Sequence, residues 1–383
     1  MYPTSKSKKK TERRLKKLSV WIKKIENYRL FDIGKNAIHD LSKLMSLPIS
    51  AALNKTSVEY ESTLEGRASP TDFYHHFNNK LTEEKITTMF LRYLSEIIKL
   101  IRNIFHQSDY QIAIDKTDEP YWGNKENLFV TGGKREKSTN YAYRYLTAAI
   151  VLPDMEFIIY SRPLTKNDNN DALLVEECLL YIKKLGINVS RLLMDREFYN
   201  SKIVFLCNVK EVEFIVPVVK NSRFTRLIKE LKKEKKKLPR IIENYEIDDQ
   251  LTNLVIYEDT NSKGKKEIFG FITNIEADAI QKDVYEIVYF YRRRWAIENA
   301  NKFQDSFNIH TNSTNGLVRY FFFVLGALLH NFWVLVNLLA KTFSLCKISL
   351  NMIKETLKAA FGFAAAPDYK HAQRKQWLGI LLG

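Results

Sequence analysis

Apolar side chains at Ile86, Met89, Phe90, Tyr93, Leu94, Ile97, Ile98 and Ile101 recur at three- and four-residue spacing. That period predicts an amphipathic helix, opened by Thr82-Glu83-Glu84. Ser69-Pro70-Thr71-Asp72 carries a second start signal, and loops are expected near Leu47-Pro48 and Ser69-Pro70. From Tyr110 the pattern shortens toward the β period. Gln111 to Thr117 reads as a short strand; Tyr141 to Leu152 and Glu156 to Arg162 read as a hairpin turning at Pro153-Asp154-Met155. Asn169 to Leu185 reads as a helix with an Asp168/Asn169 cap and a terminal Gly186. A strand (Arg191 to Met194), a helix (Ser201 to Val209) and a strand (Glu213 to Val219) follow.

The order strand, strand, strand, helix, strand, helix, strand matches a ribonuclease-H-like core, a mixed sheet flanked by helices. Residues 221–275 interrupt it with the charge run Lys229 to Arg240 and two strand-like segments, Leu251 to Tyr257 and Glu267 to Thr273. Asp278 to Phe307 reads as one long helix. The expected organisation is an α/β chain in five parts. A disordered basic arm (1–24) precedes a helical DNA-binding region (25–105). The catalytic core spans 106–220 and 276–315, with a β-rich insertion subdomain at 221–275. A C-terminal helical region occupies 316–383.

Leu317 to Ala340 is apolar enough to raise the question of a membrane span. Arg319, His330, Asn331 and Asn337 interrupt or flank it, and polar groups at mid-membrane are costly, so a buried core helix is expected and no membrane partner.

Composition sharpens the picture. The formal net charge is +16 and 45% of the 383 residues are hydrophobic, which describes a globular chain with a polyanionic partner, nucleic acid first. The three cysteines form no CxxC pair, so no disulfide framework or zinc ribbon is expected, consistent with a reducing compartment. No secretory signal is read at the start, and the expected location is the cytoplasm, at a prokaryotic nucleoid. His75-His76 reads as surface or capping histidines rather than a metal pair, because adjacent positions on a helix point different ways.

Two carboxylates leave buried strands. Asp115 ends the run Ile112-Ala113-Ile114, and Asp195 follows Leu192-Leu193-Met194. Either could be a turn former. At the same end of a parallel sheet they would converge where α/β folds place ligands. A third carboxylate sits in Tyr291-Arg292-Arg293-Arg294-Trp295-Ala296-Ile297-Glu298-Asn299-Ala300-Asn301-Lys302. At 100° per residue, Tyr291, Arg294, Glu298 and Lys302 share one face. Simple i,i+4 pairing would explain Arg294, Glu298 and Lys302 at a few tenths of a kcal/mol. With the two aspartates and the charge, the set points to phosphodiester chemistry at two Mg²⁺ ions about 4 Å apart, with Mn²⁺ as a substitute. Asp115 would bridge the ions, Asp195 and Glu298 would each hold one side, and Tyr291, Arg294 and Lys302 would contact DNA.

Tyr291, two residues, Arg294, three residues and Glu298 resemble the Y-x2-R-x3-E signature of DDE transposases of the IS-four superfamily. Lys302 has the spacing of the basic residue in a mostly archaeal, ISH-three-like branch; Asp305 stands where many other members have Lys. Ile114-Asp115-Lys116-Thr117-Asp118 with Tyr121-Trp122-Gly123 resembles the family's IDGTD..YYG block, with Lys116 for Gly. Met194-Asp195-Arg196-Glu197-Phe198-Tyr199 resembles its DRGFY block, with Glu197 for Gly. Trp295 and Ile297 also match, and the resemblance covers roughly residues 110–340. It implies a transposase that cuts double-stranded DNA at insertion-sequence ends and joins the 3′-OH to target DNA, acting as a homodimer. End recognition would fall to residues 25–105 and the insertion, and non-specific phosphate affinity to the basic arm and the Lys229–Lys237 run. Two other readings remain open: a transposase-derived DNA-binding protein without catalysis, and a ribonuclease-H-like nuclease.

Overall fold

A computed structural model describes residues 30–34, 37–64, 67–105, 109–136, 138–152, 155–234, 236–260, 264–282, 284–294, 305–342 and 349–361. The expected basic arm, the Pro153-Asp154 turn and Trp295, Ile297, Glu298 and Lys302 lie outside these residues. The chain divides into two compact units. One comprises residues 1–106, 123–127 and 300–383, and the other residues 107–122 and 128–299.

The described elements of the first unit are helical: α1 (Leu41–Asn54), α2 (Val58–Ser62), α3 (Pro70–Lys80), α4 (Glu83–Phe105), and the C-terminal helices labelled α10 and α11 below. Asp40 caps α1 by accepting from the Lys43 N–H, and Ser69 caps α3 with Pro70 at its first position. The loop expected near Leu47-Pro48 is instead the middle of α1. Pro48 removes a backbone donor, a penalty of about 3 kcal/mol. Burial of Leu44, Met45, Leu47, Ile49, Ala51, Ala52 and Leu53 outweighs it. All eight apolar positions that predicted α4 are buried. Phe73 and Phe77 of α3 stack at 4.0 Å, and Phe77 meets Phe321 at 5.2 Å. Glu61 is fully buried in this unit; its carboxylate accepts from Ser50 Oγ at 2.5 Å, Thr56 Oγ1 at 2.6 Å and Asn54 Nδ2 at 2.9 Å.

The second unit is built on one sheet. Its elements are β1 (Asp109–Pro120), β2 (Val130–Glu136), β3 (Thr139–Leu152), β4 (Met155–Pro163), α5 (Asp171–Lys184), β5 (Asn188–Met194), α6 (Ser201–Val209), β6 (Glu213–Pro217), α7 (Ser222–Lys233), β7 (Arg240–Ile247), β8 (Gln250–Thr260), β9 (Lys266–Thr273), α8 (Ala277–Lys282) and α9 (Val284–Arg293). The sheet order is β2-β3-β1-β5-β6-β9-β8-β7, with β4 pairing β3 beyond the stretch that β2 occupies. Only β1–β5 and β5–β6 are parallel; the other pairs are antiparallel. Asn170 caps α5, and Gly186 follows that helix at φ +68°, a conformation glycine adopts without strain.

Three features exceed the sequence reading. β1 continues to Pro120, so Asp115 lies within the strand rather than at its end. β2 is a strand despite Gly132-Gly133. A Cβ at Gly133 would come within 2.6 Å of the Asp118 carboxylate, which accepts from the Lys134 N–H; glycine permits that approach. The segment after β6 contains α7 and three strands, and β9 pairs β6, so β7–β9 extend the same sheet.

The C-terminal helices of the first unit are α10 (Gly316–Thr342) and α11 (Leu350–Ala360). The α10 helix is long and apolar enough to cross a membrane, yet 94% of its most apolar window is buried within the protein. Its Arg319 donates from Nε to Ser313 O at 2.6 Å and from Nη2 to Thr311 O at 3.1 Å.

Candidate active site

The register of two parallel strands creates the site. Ile114 of β1 pairs with Met194 of β5, the last pair of that ladder. Asp115 and Asp195 are the next residues on each strand, and neighbouring strands lie about 4.8 Å apart. Side chains alternate between faces, so Asp115 and Asp195 share the face of Ala113 and Leu193. Those two residues belong to a buried cluster with Ile215, Phe271, Ile287 and Val288, against which Phe290 and Tyr291 pack. Helix α9 therefore covers the face from which both carboxylates project.

At Asp195 the chain leaves the sheet. Its side chain accepts from the Glu197 N–H at 2.8 Å and caps a single 3₁₀ turn, Arg196–Phe198. At Asp115 the strand runs on, held to β3 through the pair with Thr147, whose Oγ1 donates to Asp115 O at 3.3 Å.

The end of α9 delivers a cation to this pair. Arg294 is buried; its Nη1 lies 4.0 Å from Asp115 Oδ1, and its Nε donates to Tyr291 Oη at 3.0 Å. Tyr291 is fixed by its ring against Phe271, centroids 4.6 Å apart. Burial pushes the Tyr291 phenol up to about 12, against the pull of Arg294, so it stays a neutral hydroxyl that accepts from Arg294. Burial also pushes the Asp195 carboxyl above the ordinary aspartate range, and the Glu197 charge adds to the rise; the Glu197 N–H, Arg294 and Lys116 act in the opposite sense. A raised carboxyl at Asp195 is one that gains from added positive charge nearby.

The opposite face of β1 carries an ion network that sequence reasoning did not assemble. Lys116 Nζ lies 2.9 Å from Asp171 Oδ1 and 3.4 Å from Glu197 Oε2. Arg144 Nε lies 2.6 Å from Asp118 Oδ1, and its Nη2 lies 3.2 Å from Glu197 Oε2. Lys116 and Glu197 are the two residues that replace glycine in the motif blocks quoted above. The structure joins these departures in one ion pair, linking the strand of Asp115 to the turn of Asp195. Charge at both glycine positions was the signal in the sequence.

The structure thus brings Asp115, Asp195, Tyr291 and Arg294 together; Glu298 and Lys302 belong to the undescribed stretch that follows. Among the described residues no group of three or more His, Cys, Asp or Glu side chains could hold a metal ion. The Asp115–Asp195 pair supplies two hard, half-buried oxygen donors side by side, a donor set that fits Mg²⁺ or Mn²⁺.

A family model described as a transposase DDE domain matches residues 106–332, more than half of the chain. Among solved structures, the chain is similar to a piggyBac transposase, determined by cryo-electron microscopy as a synaptic complex with hairpin DNA. The TM-score is 0.55 at 12% identity, over 96% of this chain and 83% of that one. This likeness bears out the expected ribonuclease-H-like fold, a central mixed sheet flanked by helices. No curated protein matches the chain.

Proposed function

The chain belongs to the transposase DDE-domain family, and from that membership we propose that it cuts double-stranded DNA at the ends of an insertion sequence and joins the freed 3′-OH to target DNA. Within the family we place it in the IS-four superfamily, nearest the ISH-three-like branch, on the Tyr291, Arg294, Glu298 and Lys302 spacing. The observation that carries the reading is the side-by-side emergence of Asp115 and Asp195 beneath α9, with Arg294 against Asp115.

Asp115, Asp195 and Glu298 would hold two Mg²⁺ ions, for which Mn²⁺ can substitute. When bound, the metal supplies Lewis-acid activation of the attacking oxygen and neutralises charge at the phosphate. The protein's own groups do the rest. The β1–β5 ladder fixes the separation of the aspartates before substrate arrives, which preorganises the charge they present. Arg294 offsets the charge of the carboxylates, and Tyr291 holds the guanidinium in place through Nε. Lys302 contacts the DNA backbone on the reading that placed it on the Glu298 face. Residues 25–105 and the segment 221–275 recognise the ends. The Lys229–Lys237 run and the basic arm add phosphate affinity that falls with salt. Two copies of the chain bring two ends together in a prokaryotic cytoplasm.

The test is cleavage of a fragment carrying the element's own ends, with Mg²⁺ or Mn²⁺, by wild type and by Glu298→Gln. Cutting and strand transfer by wild type alone, with DNA binding kept in both, supports the reading. Binding without cutting in either points to a DNA-binding protein derived from a transposase. Cutting without strand transfer points to a nuclease.

A further inference from the structure

A carboxylate that ligates metal must present its oxygens at a fixed place, and the groups hydrogen-bonded around it decide where they lie. Asp115 is held within a strand by its pairing with Thr147. Asp195 is not: β5 ends at Met194, one residue before it. What holds the Asp195 side chain is the Glu197 N–H at 2.8 Å, inside a single 3₁₀ turn. Such a turn has poor hydrogen-bond geometry and needs outside support to keep one shape.

The support comes through the Glu197 side chain. Arg144 Nη2 on β3 donates to Glu197 Oε2 at 3.2 Å and to Oε1 at 3.4 Å, and Lys116 Nζ on β1 lies 3.4 Å from Oε2. Both cations are themselves anchored. Asp118 Oδ1 holds Arg144 Nε at 2.6 Å, and Asp171 Oδ1 holds Lys116 Nζ at 2.9 Å. Lys116 Nζ also lies 5.1 Å from the ring centre of the fully buried Phe198, the next residue of the turn. The path is continuous: it runs from β1 and β3 through two cations to the Glu197 side chain, and from the Glu197 N–H to the Asp195 carboxylate.

We propose that Glu197 is a positioning residue for Asp195, clamped by Lys116 and Arg144, and that this clamp sets the affinity of the Asp115–Asp195 pair for its divalent cation. The proposal rests on the metal-binding part of the proposed function. A purely electrostatic role for the same side chains has the opposite sign at two of them. Lys116 and Arg144 repel a bound cation, so on charge alone removing either would tighten metal binding. If the clamp governs, removing any of the three weakens it.

The experiment is Mn²⁺ binding to the full chain without DNA, read as loss of the free-ion signal in electron paramagnetic resonance, with thermal melts to show that each variant is folded. Glu197→Ala, Lys116→Met and Arg144→Met should each weaken Mn²⁺ binding about 10- to 100-fold. Glu197→Gln keeps an acceptor for Arg144 and should lose less than Glu197→Ala. The Glu197 side chain is 50% exposed, so its removal leaves the fold intact and the test stands on it even if a cation variant unfolds. On end-bearing DNA the same variants should lose kcat at unchanged KM. Tighter Mn²⁺ binding by Lys116→Met or Arg144→Met overturns the proposal, as does wild-type affinity in Glu197→Ala. A raised KM with unchanged kcat also overturns it, by making these residues DNA contacts. If wild type and Asp195→Asn bind Mn²⁺ alike, the metal reading falls and the clamp with it. If Asp195→Asn alone loses binding, only the clamp falls.

Discussion

Replacing Glu156 with Gln is expected to stabilise the chain above neutral pH and to leave it unchanged in acid. Glu156 opens β4 opposite Val151 and is 7% exposed, and among the described residues it forms no ion pair. Burial raises its carboxyl from 4.5 to about 7, against a smaller opposing hydrogen bond from its own backbone. Because the folded value lies above the unfolded one, the folded chain binds the extra proton between them. Stability is therefore full below pH 4.5, falls as pH rises toward about 7, and stays reduced above that. A shift of this size at 1.36 kcal/mol per pH unit corresponds to about 3 kcal/mol. Glutamine keeps the shape and a hydrogen-bonding end without the charge. Urea unfolding of metal-free wild type and Glu156→Gln from pH 4 to pH 9 measures the difference. The curves should coincide near pH 4 and separate by about 3 kcal/mol by pH 8. A pH-independent difference, or a variant less stable at pH 8, would refute the argument that this carboxylate is buried without a counter-charge.

Asp115→Asn and Asp195→Asn should each lower cleavage at least about 10³-fold while leaving the salt dependence of DNA binding unchanged, since phosphate contacts and metal ligation are separate functions; gel cleavage beside fluorescence anisotropy tests both. Arg294→Met leaves Asp115 and Asp195 without their buried cation, so its melting temperature should fall below wild type without metal and recover more than wild type on adding Mg²⁺. An equal Mg²⁺ response in both would show that Arg294 does not offset these carboxylates. Glu61→Ala removes the acceptor of three hydrogen bonds, one from the buried Ser50 hydroxyl and two from the more exposed Asn54 and Thr56. At about 1 kcal/mol each it should cost about 3 kcal/mol by denaturant unfolding, with no change in Mg²⁺ binding to the other unit.

Elements whose pattern reports their own burial were legible in the sequence. α4 shows a helical stripe and α10 a long, mostly apolar run, while β3 and β5 are dense in β-branched and apolar residues. The aspartates were legible for the same reason: a carboxylate directly after a run of buried apolar residues stands out, whether the strand ends there, as at Asp195, or runs on, as at Asp115. What escaped depends on partners far along the chain. Lys116-Thr117-Asp118-Glu119 looks like a turn, but Arg144, Glu197 and Asp171 supply its counter-charges and let β1 continue. β2 hides behind two glycines whose value is the room they leave for Asp118. The α7 helix hides in a charge run because Phe224 is its only buried residue, set against Gly270 of β9. Pro48 announces a break that the surrounding core overrides.

The pairing of Ile114 with Met194 also sets how much length change the site can absorb. A strand repeats its facing every two residues, so losing or gaining one residue in β1 before Asp115 turns that carboxylate to the α5 side. A change of two residues restores the side but moves the acid about 6.6 Å along the strand, out of line with Asp195. Short insertions and deletions should thus be tolerated between β8 and β9 and excluded from residues 112–115 and 192–195. A deletion scan across these stretches would trace the active centre without any knowledge of its chemistry.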